Sequence, residues 1–268
     1  MISRLFAFLC RFPTLKRVLW RRWYQFLAGR YQVPEWQTMN YGYAPNPATS
    51  RLPLEPADEG ERFGIQLYHF VTQFVPLAGM QVLEVGCGRG GGASWLHRTL
   101  RPAAMTALDF SAQAIALCKQ RYPLPGLTFI VGDAEKLPLP DASFDAVVNV
   151  ESSHCYGSLP AFLSEVARVL RPGGHFLCAD FRDGEKITLW REQLIGSGLQ
   201  ILNETNITPN VLAALDADND RKLALMEKLL PKRLLGSFRD FAATKGSLVY
   251  EQFRRGGMQY FHFVLQKV

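Results

Sequence analysis

A short apolar run that ends in an acidic residue and a dense glycine turn constrains the fold of this chain more than any other stretch. Residues 82–92 read VLEVGCGRGGG, and residues 93–96, ASWL, resume a pattern that suits a helix. This order predicts a strand, a tight turn and a helix, the opening unit of a parallel α/β sheet. Gly86 and Gly88 allow a ligand to approach the backbone where any Cβ would block it.

Glu84 restricts which ligand this turn can hold. Gly86, Gly88 and Gly91 have the G-x-G-x-x-G spacing of dinucleotide-binding turns, a pattern that is weak by itself. A carboxylate beside the turn suits a cationic ligand better than a pyrophosphate. S-adenosylmethionine carries an ammonium and a sulfonium and no phosphate. The sequence therefore favours this cofactor over a nicotinamide or flavin dinucleotide, and over a purely structural turn.

Acidic residues follow the next two predicted strands. Asp109 ends a strand over 105–108, about 20 residues after the turn, where an acid can bind the ribose hydroxyls of an adenosine. Its alternative role is the N-cap of a helix over 112–121, which Ser111 could serve as well. Asp133 follows a strand over 127–131.

In enzymes that use S-adenosylmethionine, an acid at the position of Asp133 commonly accepts a hydrogen bond from the adenine amino group, and a surface turn is the alternative. Ala134 supplies a backbone N–H there. We include Phe110, next to the ribose candidate, and Asn149, in the fourth strand, in the predicted cofactor site.

The segment after the fourth strand, 144–150, is where we expect the reaction. Ligands of open α/β sheets bind outside the carboxyl ends of the strands, so this segment faces both cofactor and acceptor. His154 is the candidate general base, and a packing histidine is the alternative. If the segment is helical, Glu151 lies on the same face and could orient the imidazole; it could instead act on the cofactor or begin a helix. We expect no metal, because no acid cluster completes a magnesium site.

A helix that ends in Arg-Pro-Gly-Gly at 171–174, before a strand over 175–181, is the fourth signal in this order. Together the four signals resemble class I S-adenosylmethionine-dependent methyltransferases over residues 75–206. The resemblance implies a Rossmann-like α/β fold with a mostly parallel seven-stranded sheet. We expect a sixth strand over 199–206, and an antiparallel edge strand over 260–266.

Additions flank the predicted core, which spans 61–206. Residues 1–60 hold an amphipathic, basic helix from Pro13 to Gly29 and a connector, which we interpret as a lid. That helix could also simply pack on the core or lie on an anionic membrane surface. Tyr43 ends an N-x-G-Y element that closes over the methionine end of the cofactor in many small-molecule methyltransferases; an aromatic turn packed on the core is the alternative. We expect a helical cap over 207–245, broken at Pro231, and a C-terminal helix and strand over 246–268.

Charge and cysteine usage limit the partners. The net charge is +6, but seven basic residues precede the first acid, Glu35, so the remainder is close to neutral and nucleic acid is disfavoured. Five scattered cysteines, an odd number without C-x-x-C spacing, suggest a reduced protein without structural disulfides. No run approaches the ~20 apolar residues of a membrane span. We expect a cytoplasmic protein.

Three segments suggest a closer resemblance. Residues 52–69, the run GGGAS at 90–94 and the run VESSHCY at 150–156 are similar to the mycobacterial phthiotriolone and phenolphthiotriolone O-methyltransferases and related bacterial natural-product enzymes. This resemblance implies O-methylation of a hydroxyl on an apolar lipid or polyketide-like molecule. Methylation of carbon or nitrogen on an aromatic or isoprenoid compound is the alternative, because one fold hosts all these reactions.

Overall fold

The computed structural model describes residues 13–45 and 52–268, which contain one seven-stranded sheet with strand order β3-β2-β1-β4-β5-β7-β6. The strands are β1 Gln81–Val85, β2 Ala104–Asp109, β3 Leu127–Val131, β4 Phe144–Val150, β5 Leu170–Asp183, β6 Leu199–Asn206 and β7 Met258–Lys267. Every pair from β3 to β5 is parallel, and β7 pairs antiparallel with both β5 and β6. The mostly parallel, Rossmann-like class I fold is confirmed.

The antiparallel strand is not at the edge, where we expected it. β7 lies between β5 and β6, and β6 takes the edge. The physical reason is visible in the two sequences. Residues 260–265 of β7 are all buried, as an interior strand requires, whereas β6 ends in the polar run NETN at 203–206 and is mostly half-exposed.

Helices cover the sheet and extend it. They are α1 Pro13–Arg30, α2 Arg62–Thr72, α3 Gly91–Leu100, α4 Ala112–Arg121, α5 Leu159–Val169, α6 Ile187–Gly196, α7 Thr208–Ala217, α8 Asn219–Leu229, α9 Lys232–Phe241 and α10 Leu248–Arg254. The expected break at Pro231 separates α8 from α9. The Arg-Pro-Gly-Gly run at 171–174 lies inside β5 as a bulge, where the pairing with β4 shifts between Leu170 and His175. No helix in the described part of the chain is long and apolar enough to cross a membrane.

A third apolar cluster lies apart from the two that pack on the faces of the sheet. Leu27 and Tyr31 meet Met226, Leu230 and Phe238 of the α8–α9 region, and all five are buried. α1 is therefore packed against α8 and α9. We call α8 and α9 the cap helices. Two of the N-terminal basic residues, Arg4 and Arg11, lie outside the described residues, and so does one of the five cysteines, Cys10. The other four cysteines form no disulfide among the described residues.

Candidate active site

A cavity opens at the carboxyl ends of β1, β2 and β4, with an empty volume of about 920 Å³ that includes space open to solvent. It lies where parallel sheets bind their ligands, outside the carboxyl ends of the strands. Its wall combines the glycine turn, the ends of the neighbouring strands, and parts of α1 and the connector. Among the predicted site residues it includes Gly86, Gly88, Asp109, Phe110, Asp133, Ala134 and Glu151.

The glycine turn follows β1 in a backbone conformation that other residues rarely adopt. Gly86 and Gly88 have φ angles of 81° and 54°. A Cβ at Gly86 would lie 2.6 Å from Cβ of Ser152 and 3.1 Å from the hydroxyl of Tyr156. The turn is thus pressed against the segment after β4, and a side chain at Gly86 would distort both.

Asp109 lies beneath this turn, at the end of β2. Its Oδ2 accepts a hydrogen bond from the backbone N–H of Gly88 at 3.0 Å, and its Oδ1 accepts one from the N–H of Ser111 at 2.8 Å. Ser111, not Asp109, is the N-cap of α4, so the capping alternative is removed for Asp109. Burial raises the pKa of Asp109 to about 6, against the lowering effect of these backbone bonds.

Asp133 and Ala134 meet the cavity at the end of β3, next to Phe110. Oδ1 of Asp133 accepts a hydrogen bond from the backbone N–H of Glu135 at 3.0 Å, which fixes the carboxylate at the cavity wall. Asp133 follows the strand that pairs with the strand of Asp109, and its role at an adenine amino group stays a prediction.

Glu84 and Asn149 are fully buried, and the structure does not bring them to the cavity wall. The hydroxyl of Tyr68 donates to Oε1 of Glu84 at 2.7 Å, while Oε2 has no partner among the described residues. Burial raises the pKa of Glu84 to about 7. Asn149 donates to the carbonyl of Val85 at 2.8 Å and to Oγ of Ser152 at 2.7 Å, so it supports the turn from below.

His154 lies in a short 3₁₀ helix, Ser153–Cys155, after β4. Its Nδ1 is 2.8 Å from Oδ1 of Asp180, a β5 residue that the sequence reasoning missed. Burial alone would lower the pKa of His154, but the interactions with Cys155 and Asp180 outweigh it and raise that pKa to about 10. Conversely, His154 and Arg182 hold the pKa of Asp180 well below its usual value although burial opposes them.

The partner of His154 is therefore Asp180, and the expectation that Glu151 orients the imidazole is wrong. The segment turns as a 3₁₀ helix after Ser152, and Glu151 itself has a φ of 48°, which aims its side chain elsewhere. Oε2 of Glu151 accepts hydrogen bonds from the N–H of Tyr41 at 2.8 Å and from the hydroxyl of Tyr260 at 2.9 Å. Burial raises the pKa of Glu151 to about 8.

The side chain of His154 is 15% exposed and does not itself line the cavity. Trp20 of α1 does line it, and its ring stands edge-on to the imidazole with centroids 5.9 Å apart. Phe181 packs on the imidazole at 4.3 Å. α1 thus covers the candidate base from the side of the cavity.

Tyr43 is not at the cavity, contrary to our expectation. Its ring stacks on Phe70 at 4.4 Å, and its backbone is tied to Phe63 and Gln66. The structure agrees with the alternative of an aromatic turn packed on the core. Asn40, three residues earlier in the same element, does line the cavity.

A second cavity, with an empty volume of about 790 Å³ that includes space open to solvent, adjoins the first at residues 38–40 of the connector, which line both. The cap helices and the connector form its wall, which is largely apolar: Tyr31, Trp36, Leu225, Met226, Leu229, Leu230, Phe238 and Phe241. Its polar end holds Glu61, Asp218, Arg221 and Lys222. We recognised no sequence motif in this region.

Arg89, in the glycine turn, fastens the connector between the two cavities. It is 1% exposed, its Nε donates to the carbonyl of Trp36 at 2.6 Å, and its Nη2 donates to the carbonyl of Tyr31. The guanidinium also lies over the indole of Trp36, 4.5 Å from the ring centroid. Sequence reasoning missed this role because the partners are backbone atoms more than fifty positions away.

The first cavity fits S-adenosylmethionine. The glycine turn offers a close backbone approach, and Asp109 and Asp133 stand at the ends of adjacent strands. Behind the turn, one carboxylate oxygen of Glu84 has no partner among residues 13–45 and 52–268. The fold and this site define a class I S-adenosylmethionine-dependent methyltransferase.

Comparison with known proteins agrees. A family model described as a methyltransferase domain matches residues 83–178. The phthiotriol/phenolphthiotriol dimycocerosates methyltransferase of Mycobacterium leprae is 42% identical over 245 residues, which cover 91% of this chain and 90% of the relative. The chain therefore belongs to the family of these mycobacterial methyltransferases, and the resemblance noted in the sequence is confirmed.

Two further proteins are similar. A fatty-acid O-methyltransferase of Mycolicibacterium smegmatis is 40% identical, covering 88% of this chain and 85% of the relative. The crystal structure of geranyl diphosphate C-methyltransferase from Streptomyces coelicolor, solved with Mg²⁺, geranyl diphosphate and S-adenosyl-L-homocysteine, superposes with a TM-score of 0.63. It is 19% identical and covers 91% of this chain and 98% of that chain, a likeness of fold.

Proposed function

We propose that this methyltransferase methylates a hydroxyl oxygen of an apolar small molecule, with His154 as the general base. The observation that carries the proposal is the pair of His154 and Asp180 beside the cofactor cavity. A methyl group on a sulfonium is already activated. What the chain must supply is alignment of the nucleophile and, for an alcohol, removal of its proton.

The pair suits proton removal. Nδ1 of His154 faces the Asp180 carboxylate, so Nε2 is the nitrogen that can accept the hydroxyl proton, and the imidazolium that results is stabilised by Asp180. The raised pKa of His154 makes it a strong base but leaves it largely protonated at neutral pH. The active fraction should therefore increase as the pH rises.

The second cavity is the proposed acceptor site. Its wall is largely apolar, and it meets the cofactor cavity at residues 38–40. The names of the relatives, which refer to phthiotriol and phenolphthiotriol dimycocerosates and to fatty acids, support an apolar acceptor. The acceptor would then lie between the connector and the cap helices, with its reactive end towards the first cavity.

The test is transfer of labelled methyl from S-adenosylmethionine to a dissolved long-chain alcohol. His154→Gln should lower turnover about a hundredfold or more, the scale of a lost general base, and should keep cofactor affinity. His175→Gln, in the first half of β5, is the matched control and should keep its activity. Near-normal turnover of His154→Gln would contradict the base role and favour a carbon or nitrogen acceptor.

A further inference from the structure

The imidazole of His154 is covered on the side from which an acceptor has to arrive. Its side chain is 15% exposed and lines neither cavity, although Ser152 and Cys155, on either side of it in sequence, line the first. Trp20 of α1 lines the first cavity and stands edge-on to the imidazole, with the ring centroids 5.9 Å apart. A general base must come within hydrogen-bonding distance of the proton that it removes. Trp20 therefore has to move before an alcohol can react.

The same indole also contacts the wall of the second cavity. Its ring centroid lies 6.5 Å from that of Phe241, a residue of α9 that lines the second cavity. Phe241 also meets Trp23, one turn further along the same face of α1, at 5.9 Å. A chain that fills the second cavity thus touches Phe241, and Phe241 touches the ring that covers the base.

Trp20 lies in the less firmly held part of α1. At the carboxyl end of the helix, Leu27 and Tyr31 are buried in the cluster with the cap helices, whereas Trp20 and Trp23 are only half-buried. Aromatic contacts such as those of Trp20 with His154 and Phe241 are individually weak. Binding of an apolar chain can therefore offset them, and a segment with few buried contacts opens more easily than the core.

We infer that Trp20 is a gate that determines specificity: it keeps His154 covered until an apolar chain in the second cavity displaces Phe241. Turnover then depends on the chain of the acceptor as well as on its hydroxyl. The inference rests on the methyl transfer, the base and the acceptor site proposed above. A ligand shifts a protein towards the conformation that it binds more tightly. A long-chain alcohol contacts Phe241 and His154 together when the gate is open, whereas a short alcohol contacts His154 alone and cannot hold the gate open.

The first test compares kcat for butanol and decanol, which carry the same hydroxyl on chains of different length. In the wild type kcat should be lower for butanol, because the binding energy of the missing chain is not available to open the gate. If the open conformation is populated at about 10% or less, Trp20→Ala should raise kcat for butanol about tenfold or more and bring the two values together. Trp20→Phe, which keeps a ring beside His154, should keep the wild-type difference. Phe26→Ala, at an exposed position of α1, is the matched control and should keep it as well.

Phe241→Ala tests the same coupling from the second cavity. It removes the contact through which the chain acts on Trp20 and leaves Trp20 beside His154. The value of kcat for decanol should therefore fall towards that for butanol. A change in the fit of the chain alone would raise KM for decanol and leave kcat as it is.

A second measurement follows the cover itself and needs no turnover. Diethyl pyrocarbonate acylates an accessible neutral imidazole, and mass spectrometry of the digested full chain gives the rate at each histidine. With S-adenosylhomocysteine bound and no acceptor present, His154 should be labelled several-fold faster in Trp20→Ala than in the wild type or in Trp20→Phe. His175, in the first half of β5, is the internal control and should react at the same rate in all three.

Equal kcat for the two alcohols in the wild type would overturn the inference, and so would an unchanged difference in Trp20→Ala. Equal labelling of His154 in Trp20→Ala and the wild type would also overturn it, and an unchanged kcat for decanol in Phe241→Ala would overturn the coupling to the second cavity. In each of these cases transfer to decanol that depends on His154 would still support the proposed function. Near-normal turnover of His154→Gln would overturn both.

Discussion

Nδ1 of His154 and Oδ1 of Asp180 lie 2.8 Å apart and join the segment after β4 to the interior of β5. The Asp180 carboxylate is held from other sides as well. Its Oδ2 accepts hydrogen bonds from Oγ of Ser153 at 2.6 Å and from the backbone N–H of His154 at 2.9 Å, and Arg182 lies 3.2 Å away. A carboxylate fixed by so many partners fixes the imidazole in turn, with Nδ1 towards Asp180.

Asp180→Asn should move the ascending limb of the pH–rate profile to lower pH. The carboxylate contributes to the raised pKa of His154, so its loss should let that pKa fall towards the ordinary 6.5. The neutral imidazole then exists at lower pH but is a weaker base, and the plateau should fall about tenfold or more. The measurement is kcat/KM for an alcohol acceptor between pH 6 and 10.

Asp183→Asn, at the exposed end of the same strand, is the control for this profile. It should leave both the limb and the plateau unchanged. An unshifted limb in Asp180→Asn would mean that another group titrates, and Asp180 would then be only a structural partner of His154.

The sequence predicted the positions of the residues around the glycine turn better than it predicted the pairing of His154 with Asp180. Gly86, Asp109 and Asp133 follow strands that are close in sequence, and their spacing is enough to place them at one edge of the sheet. Asp180 lies inside the apolar run HFLCADF at 175–181, and only the pairing of β4 with β5 brings it to His154. The available signal for Asp180 was a single acidic residue within an apolar strand that runs parallel to β4.

Asp109→Asn should weaken binding of S-adenosylhomocysteine about tenfold to a hundredfold, the scale of a hydrogen bond to a charged group. The amide keeps one acceptor oxygen, so it cannot receive both the Gly88 and the Ser111 N–H as the carboxylate does. Calorimetric titration measures the change. Asp141→Asn, on an exposed carboxylate, should bind like the wild type, and equal affinity of the two variants would remove the ribose assignment.

Glu151→Gln should change how stability depends on pH. Burial raises the pKa of Glu151 from 4.5 to about 8, so in this window the folded state binds more protons than the unfolded state. The stabilisation from Glu151 is complete below pH 4.5 and is lost as the pH rises through about 8. Glutamine does not titrate. The Tm of the variant should therefore rise relative to the wild type between pH 5 and pH 8.

Glu84 and Asp109 also have raised pKa values, but they are present in both proteins, so their effects cancel in this comparison. A Tm difference that stays constant with pH would show that Glu151 is ionised throughout. In that case the hydrogen bonds from Tyr41 and Tyr260 would outweigh its burial.

The placement of the last strand shows the limit of the sequence for the fold. The antiparallel strand near residues 260–266 was predicted, because an apolar run follows a glycine stop. Its neighbours depend on whether β6 or β7 takes the edge of the sheet. The local residue pattern of either strand does not decide this. The buried run 260–265 of β7 and the polar end of β6 decide that choice only when the two strands are compared with each other.

Arg89→Lys should loosen the connector without removing the charge. Lysine cannot reach the carbonyls of Tyr31 and Trp36 together or lie flat over the indole of Trp36. Amide hydrogen exchange at residues 31–40 should speed up, and KM should rise for both cofactor and acceptor because residues 38–40 line both cavities. The control is Arg98→Lys, on α3, where the native arginine pairs with Asp58. Unchanged exchange in Arg89→Lys would show that Arg121, which binds the same segment, suffices.

Leu27→Ala should separate α1 from the cap helices and so test whether α1 acts as a lid. Leu27 is 1% exposed and packs in the cluster with Phe238. Its truncation leaves a cavity at that contact, and such changes lower the free energy of unfolding by about 2–5 kcal/mol. If α1 is a lid, KM for the acceptor should rise several-fold while affinity for S-adenosylhomocysteine changes little. Phe26→Ala, at a side chain that is 46% exposed, should have a smaller effect. If α1 instead serves a membrane surface, Leu27→Ala should leave acceptor KM unchanged, and deletion of residues 1–30 should abolish binding to anionic vesicles.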